Sequence, residues 1–133
     1  MDAGISSELA AAILAHAAAS PGVEVCGLLL GRNGCVDEAR ACRNVAADPS
    51  RRFEIDPAAL LAVHREARAG GPAILGCYHS HPSGSAEPSA CDAVAAEPNG
   101  WIWVIVAGTD IRAWRAVPQG ERHGRFDAVA LRD

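Results

Sequence analysis

Apolar positions along the chain alternate between helical and strand periods, and the elements follow from where one period gives way to the other. Ile5, Leu9, Ala12, Ile13 and His16 fall at helical spacing and give one apolar face. Ser6 or Ser7 can cap that helix, Glu8 sits near its positive end, and Pro21-Gly22 stops it. VEVCGLLLGR is then apolar on both faces, as expected of a strand in the middle of a sheet, with Glu24 at its entrance. Asn33-Gly34 predicts a tight hairpin turn, with CVDEARACRNVA as the returning, more exposed strand. RRFEI predicts a short strand. Asp56-Pro57 opens a second helix whose buried face is Leu60, Leu61, Val63, His64 and Ala67, ended by Gly70-Gly71. AILGCYHSH reads as a strand whose ladder Pro82 cannot continue. After the loop SGSAE comes a third helix, from about Ser89 to Glu97, broken by Pro98-Asn99-Gly100. WIWVIVAG is a strand apolar on both faces, Gly108-Thr109-Asp110 a turn, and IRAWRAV the strand pairing back. The tail, GERHGRFDAVALRD, carries a weak pattern for a last strand.

Strands and helices alternate without strict regularity, and several strand pairs are hairpins. The expected fold class is α/β, a mixed β-sheet sandwiched by helices. At 133 residues the chain suffices for one domain with a real core and is too short for two of ordinary size, so residues 1–133 are expected to form a single domain.

Composition narrows the partners. A net charge of -4 offers no basic face for phosphate neutralisation, so nucleic acid is not expected as a partner. All 12 basic residues are arginine, which rules out a lysine Schiff base. The five cysteines are odd in number and contain no C-x-x-C pair, pointing to free thiols in a reducing compartment rather than disulfides or a cysteine zinc knuckle. The flank MDAGISSE lacks the basic region of a signal peptide, and no apolar run approaches the roughly 18 residues a membrane span needs. A cytoplasmic protein without a membrane segment is the expectation.

The chemistry concentrates in GCYHSHPSGSAEPSACDAV. Alternate side chains of a strand share a face, so His79 and His81 can meet one ion, and Asp92 can return as a third ligand if the loop folds back over the strand end. Two histidines and a carboxylate suit zinc, and three protein ligands leave a fourth position for water, the catalytic arrangement. Such a water needs a proton acceptor, and Glu24, a carboxylate at the mouth of a buried apolar strand, is the best candidate. Ser89 can donate a hydrogen bond to a tetrahedral oxyanion. Plainer readings stand beside these. Ser89-x-x-Asp92 is also a helix N-terminus, Glu24 a solvated strand end, and Cys77, on the strand face of His79 and His81, a rival ligand or a core residue.

Glu24 in EVCGLLLG, then HSHP at His79 to Pro82, six residues, Ser89, two residues and Asp92 resemble the JAMM (MPN-plus) zinc metallopeptidase signature at every position. The RFEIDP segment and the WxW-like strand are similar to small stand-alone prokaryotic members. The resemblance implies a JAMM/MPN α/β sandwich related to cytidine deaminases. It further implies one catalytic Zn2+ on His79, His81 and Asp92, Glu24 as general acid-base, and Ser89 stabilising the oxyanion. The implied activity is hydrolysis of the peptide or isopeptide bond after the C-terminal Gly-Gly tail of a ubiquitin-like or sulfur-carrier protein, including release of cysteine from a carrier. Only eight residues separate Asp92 from Trp101, leaving little room for long insertions, so strict polyubiquitin linkage specificity is not expected. A different class, a non-catalytic MPN-like interaction module, would usually lack one or more of the ligands, and all are present here. Nucleoside deamination would require H-x-E followed by P-C-x-x-C, and neither occurs.

Overall fold

The central run does become a central strand. In the computed structural model, which describes residues 2–132, Cys26–Arg32 forms β2 with every residue but Arg32 buried. In chain order the elements are β1 (Asp2–Gly4), α1 (Ser7–Ala19), β2, β3 (Cys35–Cys42), α2 (Pro57–Arg68), β4 (Ala73–Ser80), α3 (Ala90–Ala95), β5 (Ile102–Ala107), β6 (Asp110–Gly120) and β7 (Gly124–Arg132). The strand order is β1-β3-β2-β4-β5-β6-β7. Pairing is antiparallel except for β4 with β5 and for β1, which runs parallel to both β3 and β7 and so closes the sheet on itself.

Both faces of the middle strands are covered. Leu29, Tyr78, Val104 and Val106 pack with Ile13 of α1, whereas Leu28, Leu30, Cys77, Trp103 and Ile105 pack with Val63 of α2. A strand covered on both sides has no polar face, which is why β2 and β5 read as continuous apolar runs. The mixed sheet with helices on its faces matches the expected α/β class.

The middle strands also approach one another closely. A side chain at Gly76 would place its Cβ 1.8 Å from the carbonyl oxygen of Ile102, its register partner on β5. Gly76→Ala is therefore expected to destabilise the fold by about 3 kcal/mol, the upper end of the usual overpacking cost. A lowered urea midpoint at unchanged slope would show it.

Several local expectations are corrected. β1 occupies part of what reads as the flank of the first helix, and Ile5 lies outside that helix, donating its N–H to the Arg132 carbonyl at 2.8 Å. Ser6, not Ser7, is the N-cap. Ala12 is exposed, because α1 turns Ile13, with Leu9, Leu14 and Ala17 beside it, to the sheet. On α2 the buried face is narrower than the apolar pattern implies: Val63 is buried, while Leu61 is 48% exposed and His64 is also exposed. RRFEI forms no strand beyond a single bridge from Ile55 to Asn44, since the Asn44 side chain takes the Glu54 N–H and the Arg52 carbonyl that a ladder would use. α3 stops at Ala95, with Ala96 already extended; Glu97 precedes Pro98, a position that disfavours helical geometry. The tail is a full strand. Its pattern is weak because it buries residues on both faces, Phe126 toward one core and Val129 toward the other, so apolar and polar positions do not alternate along it.

Candidate metal centre

The centre is assembled where three segments meet. β2 pairs antiparallel with β4 in a register that sets Cys26 opposite His79. Continued by two residues, that register brings Glu24, just before β2, across from His81, just after β4. Asp92 arrives from the first turn of α3. One ligand atom each from Glu24, His79, His81 and Asp92 lies within 4.8 Å of all the others. Glu24, His79 and Asp92 are buried, while Cys77 belongs to the apolar core and not to this group.

Inside the group the spacing is tighter. Nε2 of His79 is 3.1 Å from Oδ1 of Asp92, Nε2 of His81 is 3.1 Å from Oδ2, and the two Nε2 atoms are 3.1 Å apart. Nitrogen and oxygen donors held at about 2.0–2.1 Å by one tetrahedral ion would be separated by about 3.3 Å. Two imidazole nitrogens at nearly that spacing, each approached by a different oxygen of the Asp92 carboxylate, could hold a zinc-sized cation. The Oε1 atom of Glu24 is buried with no hydrogen-bond partner among the described residues, a costly state for a carboxylate that serves only structure.

Neighbouring residues hold the donors in place. The Nδ1–H of His81 is directed at the Ser85 carbonyl, 2.7 Å away, which leaves Nε2 free to act as a ligand. The His79 ring stacks on Phe53, centroids 4.3 Å apart, and meets Trp103 edge-on. Ser89 caps α3 by accepting the Asp92 N–H at 3.0 Å, and Asp92 Oδ2 accepts the Ser89 N–H at 2.9 Å. The capping reading of Ser89-x-x-Asp92 is correct, and the same carboxylate reaches both histidines.

The family model described as prokaryotic homologs of the JAB domain matches residues 6–117. The chain belongs to that family. Its similarity extends to a desampylase of Haloferax volcanii, 36% identical over 99 residues that cover 70% of this chain and 71% of the relative. A Thermus thermophilus protein named "Probable TtuB-protein conjugate cleaving protease" is 35% identical over 97 residues, covering 71% of this chain and 62% of that one. Among solved structures, protein DSY2949 of Desulfitobacterium hafniense superposes with a TM-score of 0.76 at 26% identity, covering 96% of this chain and 91% of that chain.

The electrostatics of this JAB-family site act on its two carboxyl groups in opposite directions. Burial raises the Glu24 pKa to about 7; His81 pulls it down and the charge of Asp92 pushes it up. Burial also acts to raise Asp92, but hydrogen bonds with His79 and His81 outweigh it and hold that carboxyl well below the usual carboxylate range. Burial lowers His79. At His81 burial acts in the same direction, yet the Asp92 and Ser85 hydrogen bonds prevail and the pKa rises. Two carboxyl groups in one site are thus pushed in opposite directions, Asp92 toward the anion and Glu24 toward the protonated form.

All five candidate residues are legible in the sequence, but those that place them are not. The Ser80 hydroxyl, between the two histidines, points to the opposite face and accepts the Val25 N–H at 2.9 Å, tying β4 to the segment that carries Glu24. Asn44 donates to the Glu24 carbonyl at 2.9 Å, and the Glu24 N–H donates to Pro49 at 2.7 Å. The period-two rule could have flagged Ser80 as facing away from its neighbours. No spacing signal marks Asn44 or Phe53.

Proposed function

We propose that this JAMM-type hydrolase cleaves the peptide or isopeptide bond following the C-terminal glycine of a ubiquitin-like or sulfur-carrier protein. The observation that carries the reading is the convergence of Glu24, His79, His81 and Asp92 within 4.8 Å. Membership of a family with desampylase and conjugate-cleaving relatives supports the substrate class. His79, His81 and Asp92 would hold one zinc ion. Bound there, zinc would supply a Lewis acid and lower the pKa of a coordinated water to about 7.

The remaining work falls to side chains. Glu24 takes the proton from the attacking water as the oxygen–carbon bond forms, and delivers it to the departing amine as the carbon–nitrogen bond breaks. Burial, which favours the protonated carboxyl, suits a group that must both take and return a proton. A cleft of about 220 Å³ bordered by Glu24, Ser50, Arg51, His81, Pro82, Ser83 and Ser89 gives the scissile bond access to these groups. Because Ser89 uses its oxygen as an acceptor in the helix cap, its O–H remains able to donate to the oxyanion.

Ser89→Ala is expected to lower kcat by about 10²-fold or more with zinc retained, the usual effect of removing one oxyanion donor. The lost cap should cost a further ~1 kcal/mol of stability. An unchanged kcat beside a lowered melting temperature would reduce Ser89 to a cap. The function itself is tested by incubating zinc-loaded protein with carrier conjugates and measuring product masses, with cleavage directly after the terminal glycine expected. Zinc-loaded protein that leaves every carrier conjugate intact would favour the interaction-module reading.

A further inference from the structure

Asp92 reaches the two histidines because residues 82–88 double back over the end of β4, and these residues form no helix or strand. The first half of this loop is held by the site itself, through the His81–Ser85 hydrogen bond at 2.7 Å. Its second half is held from elsewhere. The indole N–H of Trp114 donates to the Ala86 carbonyl at 3.0 Å, Nε of Arg122 donates to Glu87 Oε1 at 3.1 Å, and Nε2 of His123 lies 3.2 Å from the Pro88 carbonyl. Three consecutive loop residues, immediately before the Ser89 cap, are thus each gripped by the β6–β7 hairpin. The grip is braced in turn: Arg112 and Arg122 both lie over the Trp114 ring, 5.5 Å from its centroid, and Arg112 is 3.9 Å from the second oxygen of Glu87. Ala86 is fully buried, so its carbonyl would lose its partner without gaining water if the indole N–H were removed.

We infer that the β6–β7 hairpin is a positioning platform for the metal centre, with Trp114, Arg122 and His123 setting the path of the loop and hence the place of Asp92 against His79 and His81. None of the three belongs to the donor group, so they are positioning residues and not ligands. The inference rests on the metal-centre reading of the site and is independent of the substrate. Its physical basis is the narrow tolerance of the donors, whose 3.1 Å separations a small loop shift would destroy. Loss of groups that orient metal ligands typically costs about 10- to 100-fold in metal affinity or activity.

The test uses the full chain and two variants, Arg122→Ala at a half-exposed position and Trp114→Phe, which keeps the ring and removes the donor. Zinc affinity is measured by competition with a chromogenic chelator, and donor geometry by the ligand-field bands of the Co2+-loaded protein. Both variants are expected to bind zinc about tenfold or more weakly, to shift the Co2+ bands, and to lower kcat with KM unchanged. Arg122→Lys should recover part of the affinity, since it restores a cation beside Glu87 but not the planar guanidinium. Arg40→Ala removes ion pairs to Glu38 and Glu66 away from the loop, and should alter stability without moving zinc affinity. Wild-type zinc affinity and Co2+ bands in both variants would overturn the inference, as would an equal loss in Arg40→Ala. Wild-type protein that binds zinc but cleaves no carrier conjugate would overturn the proposed substrate and leave this metal readout standing; wild-type protein that binds no zinc would overturn both.

Discussion

Glu24→Gln is expected to lower kcat by about 10²- to 10⁴-fold while the protein keeps its zinc, the range typical of losing a general acid-base. The amide has the carboxyl's shape and leaves the donors of His79, His81 and Asp92 untouched, but it cannot shuttle a proton. Zinc analysis and steady-state kinetics on one preparation separate the two effects, and wild-type turnover in the variant would exclude the assigned role. The same substitution carries a stability signature in metal-stripped protein. Burial raises the Glu24 pKa from 4.5 to about 7, so the folded state favours the protonated carboxyl. The unfolded chain ionises first as pH rises, and the stability present below pH 4.5 declines until the pH passes about 7. Above that pH Gln at this position is expected to be more stable than Glu by on the order of 2–3 kcal/mol, and at pH 4 the two should converge. Thermal melts of chelator-treated protein at both pH values measure it; parallel pH profiles would show that Glu24 does not titrate in this window.

His81→Ala is expected to abolish both zinc binding and hydrolysis. Its Nε2 stands 3.1 Å from both His79 Nε2 and Asp92 Oδ2, so the alanine variant loses one of the three proposed protein donors, the one that borders the cleft. The loss of affinity should exceed the roughly 100-fold that removal of an outer orienting group costs. Metal analysis after dialysis reads it directly, and stoichiometric zinc in that protein would refute the ligand assignment. Removal of zinc from the wild type by a chelator should reproduce the loss of activity, and added Zn2+ should reverse it only in the wild type.

Much of this site was legible along the chain because its parts obey local rules. His79 and His81 share a face since strand side chains alternate, and Ser89 and Asp92 start a helix at the spacing that lets one carboxylate serve both the cap and the histidines. The errors were local too, and each has a tertiary cause. Leu61 and His64 fall at helical spacing, but α2 meets the sheet through a stripe too narrow to cover them. RRFEI has strand composition, yet Asn44 captures its backbone groups with the same side chain that donates to the Glu24 carbonyl.

By itself the sequence determined most of the helix and strand periods, the shared face of His79 and His81, and the residue types able to bind a cation. Only the tertiary structure decided that Glu24 lies across from His81, that Phe53 stacks on His79, and that Trp114 holds the loop leading to Asp92. The reason is that strand pairing is made by backbone groups common to every residue. A period-two pattern therefore states which face is buried and is silent on which strand lies alongside. That choice is made by burying both faces of β2 at once, between α1 and α2, with β3 and β4 at its edges.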